Sequence, residues 1–290
     1  MKLGIIDIGS NTIKAYLYDT ADEALVPVCR VSFYAMLSSH VANGAIDSEG
    51  LSVLAESCIK CRDFLLENGA EEIRAYATEA LRSASNRDKA VHLVKEETGI
   101  IPDILTREQE AECDALSLMY FSGKTEGIGM DIGGGSGQIF EYKDGKAGRS
   151  ISVPIGALAL KNRFVSSDIP IPEELGEIDS FVRGFLDVFG SITVPEIDVM
   201  GGSASSVAGV LADGDGRVSI KDLNDFIVSI IGRSDACGYI SSFAGGRETT
   251  LIPGLEVIRA CGEWFRASSV RIFLSGSREG YIIKNGYLSK

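Results

Sequence analysis

The sequence predicts an α/β protein built from two domains of one topology. Three observations carry this reading. Three strands followed by alternating helices and strands occur once up to residue 121 and again from residue 127. The turn Asp7-Ile8-Gly9-Ser10-Asn11-Thr12 recurs as Asp131-Ile132-Gly133-Gly134-Gly135-Ser136, each time between a first strand and a second. The length, 290 residues, suits two domains.

In the first half, residues 3–7 (LGIID), 11–18 (NTIKAYLY) and 25–34 (LVPVCRVSFY) are rich in β-branched and aromatic residues and read as strands. An amphipathic helix follows over 48–67, with Gly69 suited to its end. A strand over 72–77, helical segments over 79–98, a short strand near 102–105 and a helix over 107–121 complete this half, and residues 123–127 connect it to the next. In the second half, strands are expected at 127–132, 137–142 and 147–153, then helices at 157–165 and 173–189. A strand at 196–200, helices at 204–211, 219–231 and 254–267, a strand at 270–274 and a helix at 277–284 follow. The expected domains are residues 1–124 and 125–290.

A hydrophobic share of 45% with 24% charged residues excludes a disordered chain. No apolar run approaches the roughly 20 residues of a membrane span. The opening MKLGIIDIG reaches Asp7 before an apolar signal core forms, so no export signal is expected. The net charge of −13 repels polyanions and membranes, which argues against DNA, RNA or membrane partners. An anionic substrate would need local donors or a bound cation. Six cysteines at 29, 58, 61, 113, 237 and 261 do not make a small-protein disulfide framework, and reduced thiols in a cytoplasm are expected. Cys58 and Cys61 form a CxxC inside an amphipathic helix, where they read as small hydrophobes rather than zinc or redox ligands.

A strand ending in Asp, then glycine and hydroxyl residues, makes a hairpin whose N–H groups can form an anion-binding nest. Gly9, Ser10, Asn11 and Thr12 form one such turn, and Gly133, Gly134, Gly135 and Ser136 the other. Asp7 and Asp131 sit at the turn mouths, where Mg²⁺ between a carboxylate and phosphate oxygens is natural. One turn alone would be an ordinary hairpin; two at matching positions point to a phosphate cleft between the domains.

The resemblance is wider. Asp7–Lys14 (DIGSNTIK), Thr78–Asn86 (TEALRSASN), Glu108–Ala115 (EQEAECDA), Asp131–Ile139 (DIGGGSGQI), Ser152–Phe164 (SVPIGALALKNRF), Gly201–Ala208 (GGSASSVA), Ile252–Leu255 (IPGL) and Ser277–Tyr281 (SREGY) occur in this order. The set resembles the exopolyphosphatase and guanosine pentaphosphate phosphohydrolase family, within the actin, sugar kinase and Hsp70 superfamily. It is similar to the short members, which have two ribonuclease H-like (actin-like ATPase) domains and no C-terminal helical domain. The resemblance implies a Mg²⁺-dependent hydrolase that removes terminal phosphate from inorganic polyphosphate, short chains above all, or from guanosine pentaphosphate. An ATP-dependent kinase or ATPase of the same superfamily, or a nucleotide- or polyphosphate-binding regulator with little turnover, are the alternatives. A homodimer is compatible with the family.

By the same resemblance Glu110 is the residue that activates water; from composition alone it is one solvated helix carboxylate among Glu108, Glu110 and Glu112. Its helix opens with Thr106-Arg107-Glu108-Gln109, which fits a capping box. Arg82 and Arg278 are implied phosphate ligands, with a surface helix arginine as the plain alternative for Arg82, and Glu279 reads as structural. Gly201-Gly202-Ser203-Ala204 is the second domain's nucleotide-side turn or a cleft wall. The chain departs from the family at Gln109, where a second Glu is usual, and at Gly137 and Gln138, where Thr and Glu are usual. Asp213-Gly214-Asp215-Gly216 invites a calcium-loop reading, but Leu211 would fill its first ligand position; a turn leading to Ser219 as helix N-cap accounts for the stretch better.

Overall fold

Strand β1 (Lys2–Ile8) is buried on both faces, as its nearly continuous apolar run requires. The computed structural model describes residues 1–22 and 24–288. β1 pairs antiparallel with β2 (Thr12–Asp19), which pairs with the edge strand β3 (Pro27–Tyr34). A 3-10 turn at Leu37–His40 and a small hairpin, β4 (Val41–Ala42) with β5 (Ala45–Ile46), lead into α1 (Ser48–Glu67). β6 (Glu72–Ala77) and β7 (Asp103–Ile104) extend the sheet in parallel, giving the order β3-β2-β1-β6-β7. Between them lie α2 (Glu79–Ser83) and α3 (Arg87–Thr98).

Asp47 caps α1 by accepting from Gly50 N at 2.7 Å. Leu51, Leu54, Cys58, Cys61 and Leu65 form a stripe spaced by three and four residues, all buried in the core that also holds Ile6, Ile8, Ile13, Ala15 and Leu17. The CxxC cysteines are thus part of a core stripe. Burial, helped by the Asp7 charge, pushes the Cys61 thiol up to about 12, so it stays protonated.

The helix α4 (Arg107–Ser122) then leads to β8 (Glu126–Ile132), β9 (Gly137–Lys143) and β10 (Lys146–Val153). Helices α5 (Ala157–Phe164) and α6 (Pro172–Arg183) precede β11 (Glu196–Gly201) and α7 (Gly202–Leu211). After these come β12 (Arg217–Ser219), α8 (Ile220–Ile231), α9 (Ala236–Ala244), α10 (Leu251–Trp264), β13 (Ser269–Ile272) and α11 (Ser277–Lys284). The second sheet has the order β10-β9-β8-β11-β13-β12, which repeats the first and adds β12 at its edge. α10 is buried almost all round, and its core includes Ile178 of α6, Leu160 of α5 and Ile227 of α8.

Several boundaries differ from the sequence reading for local reasons. α10 begins at Leu251 rather than Gly254, because Pro253 falls in the first turn, where its missing N–H has no helical partner to lose. The expected helix over 173–189 ends at Arg183, and a 3-10 turn covers Leu186–Phe189. β12 and the β4–β5 hairpin carry too few residues to show a period, and in α9 Gly238, Ser241 and Ser242 weaken the helical pattern. Ser219 is the N-cap of α8, accepting from Asp222 N at 2.9 Å, while Asp213 Oδ1 accepts from the N–H groups of Asp215 and Arg217 and closes its own turn.

By packing, one unit comprises Met1–Glu110 with the stretch that begins at Tyr281, and the other comprises Ala111–Gly280. The sequence-based boundary at 124/125 follows the repeat of strand order; packing divides the chain within α4 and within α11. The C-terminal stretch belongs with the first unit through aromatic contacts. Tyr281 stacks on Tyr76 with ring centroids 5.0 Å apart and donates to Asp103 Oδ2 at 2.5 Å, and the guanidinium of Arg74 lies over Tyr287.

Candidate functional site

In the first unit the Gly9–Thr12 turn closes on itself: Gly9 N–H donates to Thr12 O at 3.1 Å. The carbonyls of Ser10 and Asn11 accept from Ser38 and from Ala35 and Met36, which lead into and form the following 3-10 turn. In a trans peptide the next N–H points opposite its carbonyl, so the N–H groups of Asn11 and Thr12 turn away from that segment. Gly9 therefore shapes the turn, its own N–H being spent, and the outward donors come from Asn11 and Thr12 with the partly exposed side chains of Ser10, Asn11 and Thr12.

The second unit repeats this geometry. Gly133 N–H donates to Ser136 O at 3.0 Å. The carbonyls of Gly133 and Gly134 accept from Ala157, Leu158 and Ala159 at the start of α5. This seat needs Gly156, because a Cβ there would lie 2.5 Å from the backbone of Gly134 and Gly135. The N–H groups of Gly134 and Gly135 accordingly face away from α5, and Gly133, like Gly9, forms the turn.

Asp7 and Asp131 occupy matching register positions. Asp7 stands opposite Lys14 on β2 and beside Tyr76 on β6; Asp131 stands opposite Gln138 on β9 and beside Met200 on β11. Gly201, at a φ of +100°, lets the start of α7 pass close to Asp131: a Cβ would fall 2.7 Å from its Oδ1. Among the described residues no group of three or more His, Cys, Asp or Glu side chains is placed to hold a metal. Each turn offers one strand-end carboxylate. Taken within its own unit, a single carboxylate of this kind leaves most of a Mg²⁺ octahedron to water and phosphate oxygens.

Arg82 and Glu110, 28 residues apart, are brought together. Arg82 Nη1 donates to Glu110 Oε2 at 2.7 Å and to Leu105 O at 2.9 Å, and Nη2 donates to Glu79 Oε2 at 2.8 Å. The Arg82 side chain is 14% exposed and that of Glu110 11%, so the solvated-glutamate reading of Glu110 does not hold. Burial opposes the Arg82 charge, but the Glu79 and Glu110 carboxylates outweigh it and raise the guanidinium pKa. Arg82 is neither a surface arginine nor an unengaged phosphate ligand; it is held by two carboxylates.

The helix start that carries Glu110 is a reciprocal capping box: Thr106 N donates to Gln109 Oε1 at 2.9 Å, and Gln109 N donates to Thr106 Oγ1 at 3.2 Å. The Gln109 carboxamide is engaged at its own helix start, a role that the family's usual Glu would fill as well. Gly137 is closed in as well, since a Cβ would meet Ile155 at 2.7 Å, and Gln138 is buried.

Arg278 lies at the start of α11. Its Nε pairs with Glu279 Oε1 at 2.8 Å and its Nη2 donates to Leu274 O at 2.8 Å, while Glu279 Oε2 accepts from Gly276 N at 2.7 Å. Glu279 thus shapes the loop that presents Arg278. Sequence reasoning passed over Glu79 and Lys14. The i, i+3 spacing of Glu79 to Arg82 and the ladder position of Lys14 opposite Asp7 were the available signals.

Residues 28–286 match the model of the Ppx/GppA phosphatase family. The chain belongs to that family. It is 26% identical to exopolyphosphatase 1 of Mycobacterium leprae over 306 residues, covering 98% of this chain and 89% of that protein. It is 27% identical to exopolyphosphatase 1 of Mycobacterium tuberculosis over 213 residues, a stretch covering 72% of this chain and 60% of that relative's length. A crystal structure of the Aquifex aeolicus Ppx/GppA family member superposes with a TM-score of 0.85 at 22% identity, covering 99% of this chain and 98% of that one. The two-unit α/β fold is therefore that of Ppx/GppA proteins, of the actin-like ATPase type. Among the described residues no helix is long and apolar enough to cross a membrane.

Proposed function

We propose that this protein hydrolyses a phosphoanhydride, releasing the terminal phosphate of inorganic polyphosphate. The observation that carries the reading is the buried Arg82–Glu110 pair, which joins the two motifs that the family resemblance assigns to phosphate binding and water activation. In this reading Glu110 accepts a proton from the attacking water, an oxygen–phosphorus bond forms, and the anhydride bond to the leaving phosphate breaks. Arg82 turns its guanidinium to the transferring phosphoryl group, and Arg278 offers a second cation. The N–H groups of Asn11, Thr12, Gly134 and Gly135, with the hydroxyls of Ser10, Thr12 and Ser136, hold the remaining oxygens. Asp7 and Asp131 would hold Mg²⁺, which when bound supplies charge neutralisation at the phosphate oxygens.

The finer substrate we propose is a short polyphosphate. The net charge of −13 opposes a long polyanion track, and guanosine pentaphosphate is the second anhydride of the same chemistry. Free thiols, four of them buried, support a cytoplasmic setting. The buried Gln138 opposite Asp131 favours one competing reading, a polyphosphate- or nucleotide-binding regulator with little turnover. The test is phosphate release from tripolyphosphate, long polyphosphate, guanosine pentaphosphate and ATP, with and without Mg²⁺. Release from tripolyphosphate supports the hydrolase; release from ATP alone points to an ATPase; binding without release points to the regulator.

A further inference from the structure

Arg82 serves two carboxylates at once. Its Nη1 holds Glu110 at 2.7 Å and its Nη2 holds Glu79 at 2.8 Å, so one positive charge faces two negative ones. The Nε–H of Arg82 is buried and has no hydrogen-bond acceptor among the described residues, so the fork is anchored only through its two ends. Arg107 adds little compensation, since its Nη2 lies 3.7 Å from Glu79 Oε1 on a side chain that is 59% exposed and screened by water.

Arg82 carries one positive charge for two carboxylates, so a phosphate that takes it as counter-ion competes with one of them. Glu110 has a side chain only 11% exposed and would be left charged in a poorly solvated place. Glu79 is 32% exposed, beside Arg107, and can turn to water. The carboxylate that yields is therefore Glu79.

We infer that Glu79 is a positioning residue that competes with substrate phosphate for Arg82: it holds the guanidinium against Glu110 in the resting site and gives way only to a highly charged phosphoanhydride. The inference rests on Arg82 and Glu110 forming the hydrolytic pair proposed above. Two consequences follow from the charge count. A chain with several negative charges displaces Glu79 more readily than orthophosphate, so the product leaves as the carboxylate returns. Without that carboxylate, Arg82 should bind every phosphate more tightly and release product more slowly.

The experiment compares wild type, Glu79→Gln and Glu79→Asp. Steady-state phosphate release from tripolyphosphate gives kcat and KM, inhibition by orthophosphate gives Ki, and calorimetry gives tripolyphosphate affinity independently of turnover. Glu79→Gln keeps the size of the side chain and removes its charge. Its KM, and the Ki for orthophosphate, should fall by about tenfold, the scale of one charge-assisted hydrogen bond, while kcat also falls. Glu79→Asp, which restores the charge, should bring KM and Ki back toward wild type. A merely structural residue would raise KM or leave both constants alone, so that result in Glu79→Gln overturns the inference while leaving the hydrolase reading intact. If wild type binds tripolyphosphate but turns over no anhydride, the hydrolase reading falls and the calorimetric affinities decide: tighter binding by Glu79→Gln supports the competition, and unchanged or weaker binding overturns it. If wild type binds neither tripolyphosphate nor orthophosphate, both readings are overturned.

Discussion

Gly280 offers a test in which two physical effects have opposite signs. It lies inside α11, where replacing glycine by alanine should favour the helix by about 1 kcal/mol through lost backbone freedom in the unfolded chain. Its surroundings say otherwise. A Cβ at Gly280 would stand 1.7 Å from the carbonyl oxygen of Cys113 and 2.3 Å from its carbonyl carbon. Both atoms are backbone of α4, so no side chain can swing aside. Restoring an ordinary carbon–oxygen contact requires the helices to part by about 1.5 Å, and overpacking of this kind costs about 1–3 kcal/mol, occasionally more. With only backbone in the way the upper end of that range applies, and about 3 kcal/mol of steric cost less about 1 kcal/mol of helix gain leaves Gly280→Ala destabilised by about 2 kcal/mol net. At an m-value of about 2 kcal/mol/M, the urea midpoint should fall by about 1 M. Arg278, the proposed second phosphate cation, sits two residues earlier on the same short helix, so that proposal adds a weaker phosphate affinity in this variant. Gly176 in α6 is the control: a Cβ there meets nothing within 4 Å, and Gly176→Ala should raise stability by about 1 kcal/mol. Urea unfolding of both variants decides the matter. A Gly280→Ala protein as stable as wild type would show that the close approach of α11 to α4 does not set this contact.

Three further outcomes are expected. Glu110→Gln should lower phosphate release by about 10²–10⁴ if the carboxylate is the base, and should also cost about 1–3 kcal/mol in urea unfolding by neutralising the acceptor of Arg82; unchanged stability would mean that the pair carries no weight. Lys124 lies 2.6 Å from Asp198 Oδ1 and 2.8 Å from Glu196 Oε1, and although burial pushes the Glu196 carboxyl upward, Lys124 and Arg217 outweigh it and hold its pKa below the ordinary value. The stability from Glu196 is thus present above an unfolded pKa of about 4.3 and is lost as pH falls through the depressed folded value; Lys124→Met should cost about 3 kcal/mol at neutral pH and begin acid unfolding at higher pH than wild type, as read by circular dichroism against pH. Burial and the Asp7 charge push Cys61 up to about 12, and Cys58, Cys113 and Cys261 are also buried, so a thiol reagent at pH 8 should label only Cys29 and Cys237 in the folded protein; rapid labelling of three or more thiols would contradict the packing.

Neighbours along the chain encode the local elements of this fold. Short, nearly continuous runs of apolar and aromatic residues marked β1, β2, β8 and β9, and the Leu51–Leu65 stripe marked α1 and placed its cysteines in the core. Thr106 with Gln109, and Ser219 with Asp222, wrote helix starts within four residues. The repeated turn was visible because Asp, Ile and Gly recur in the same order after a strand. Tertiary structure decided the partners. Glu110 is held by Arg82 from 28 residues away, Lys124 by Asp198 from 74 residues away, and no local spacing distinguishes those carboxylates from their exposed neighbours. The same holds for the glycines. Gly156 and Gly280 look like interchangeable helix-end or helix-interior residues until the backbones of Gly134 and Cys113 arrive against them. Local pattern is set by the dihedral preferences and periodicity of one segment. Charge pairing and backbone contact depend on distance through space, and that distance exists only once the sheets and helices have packed.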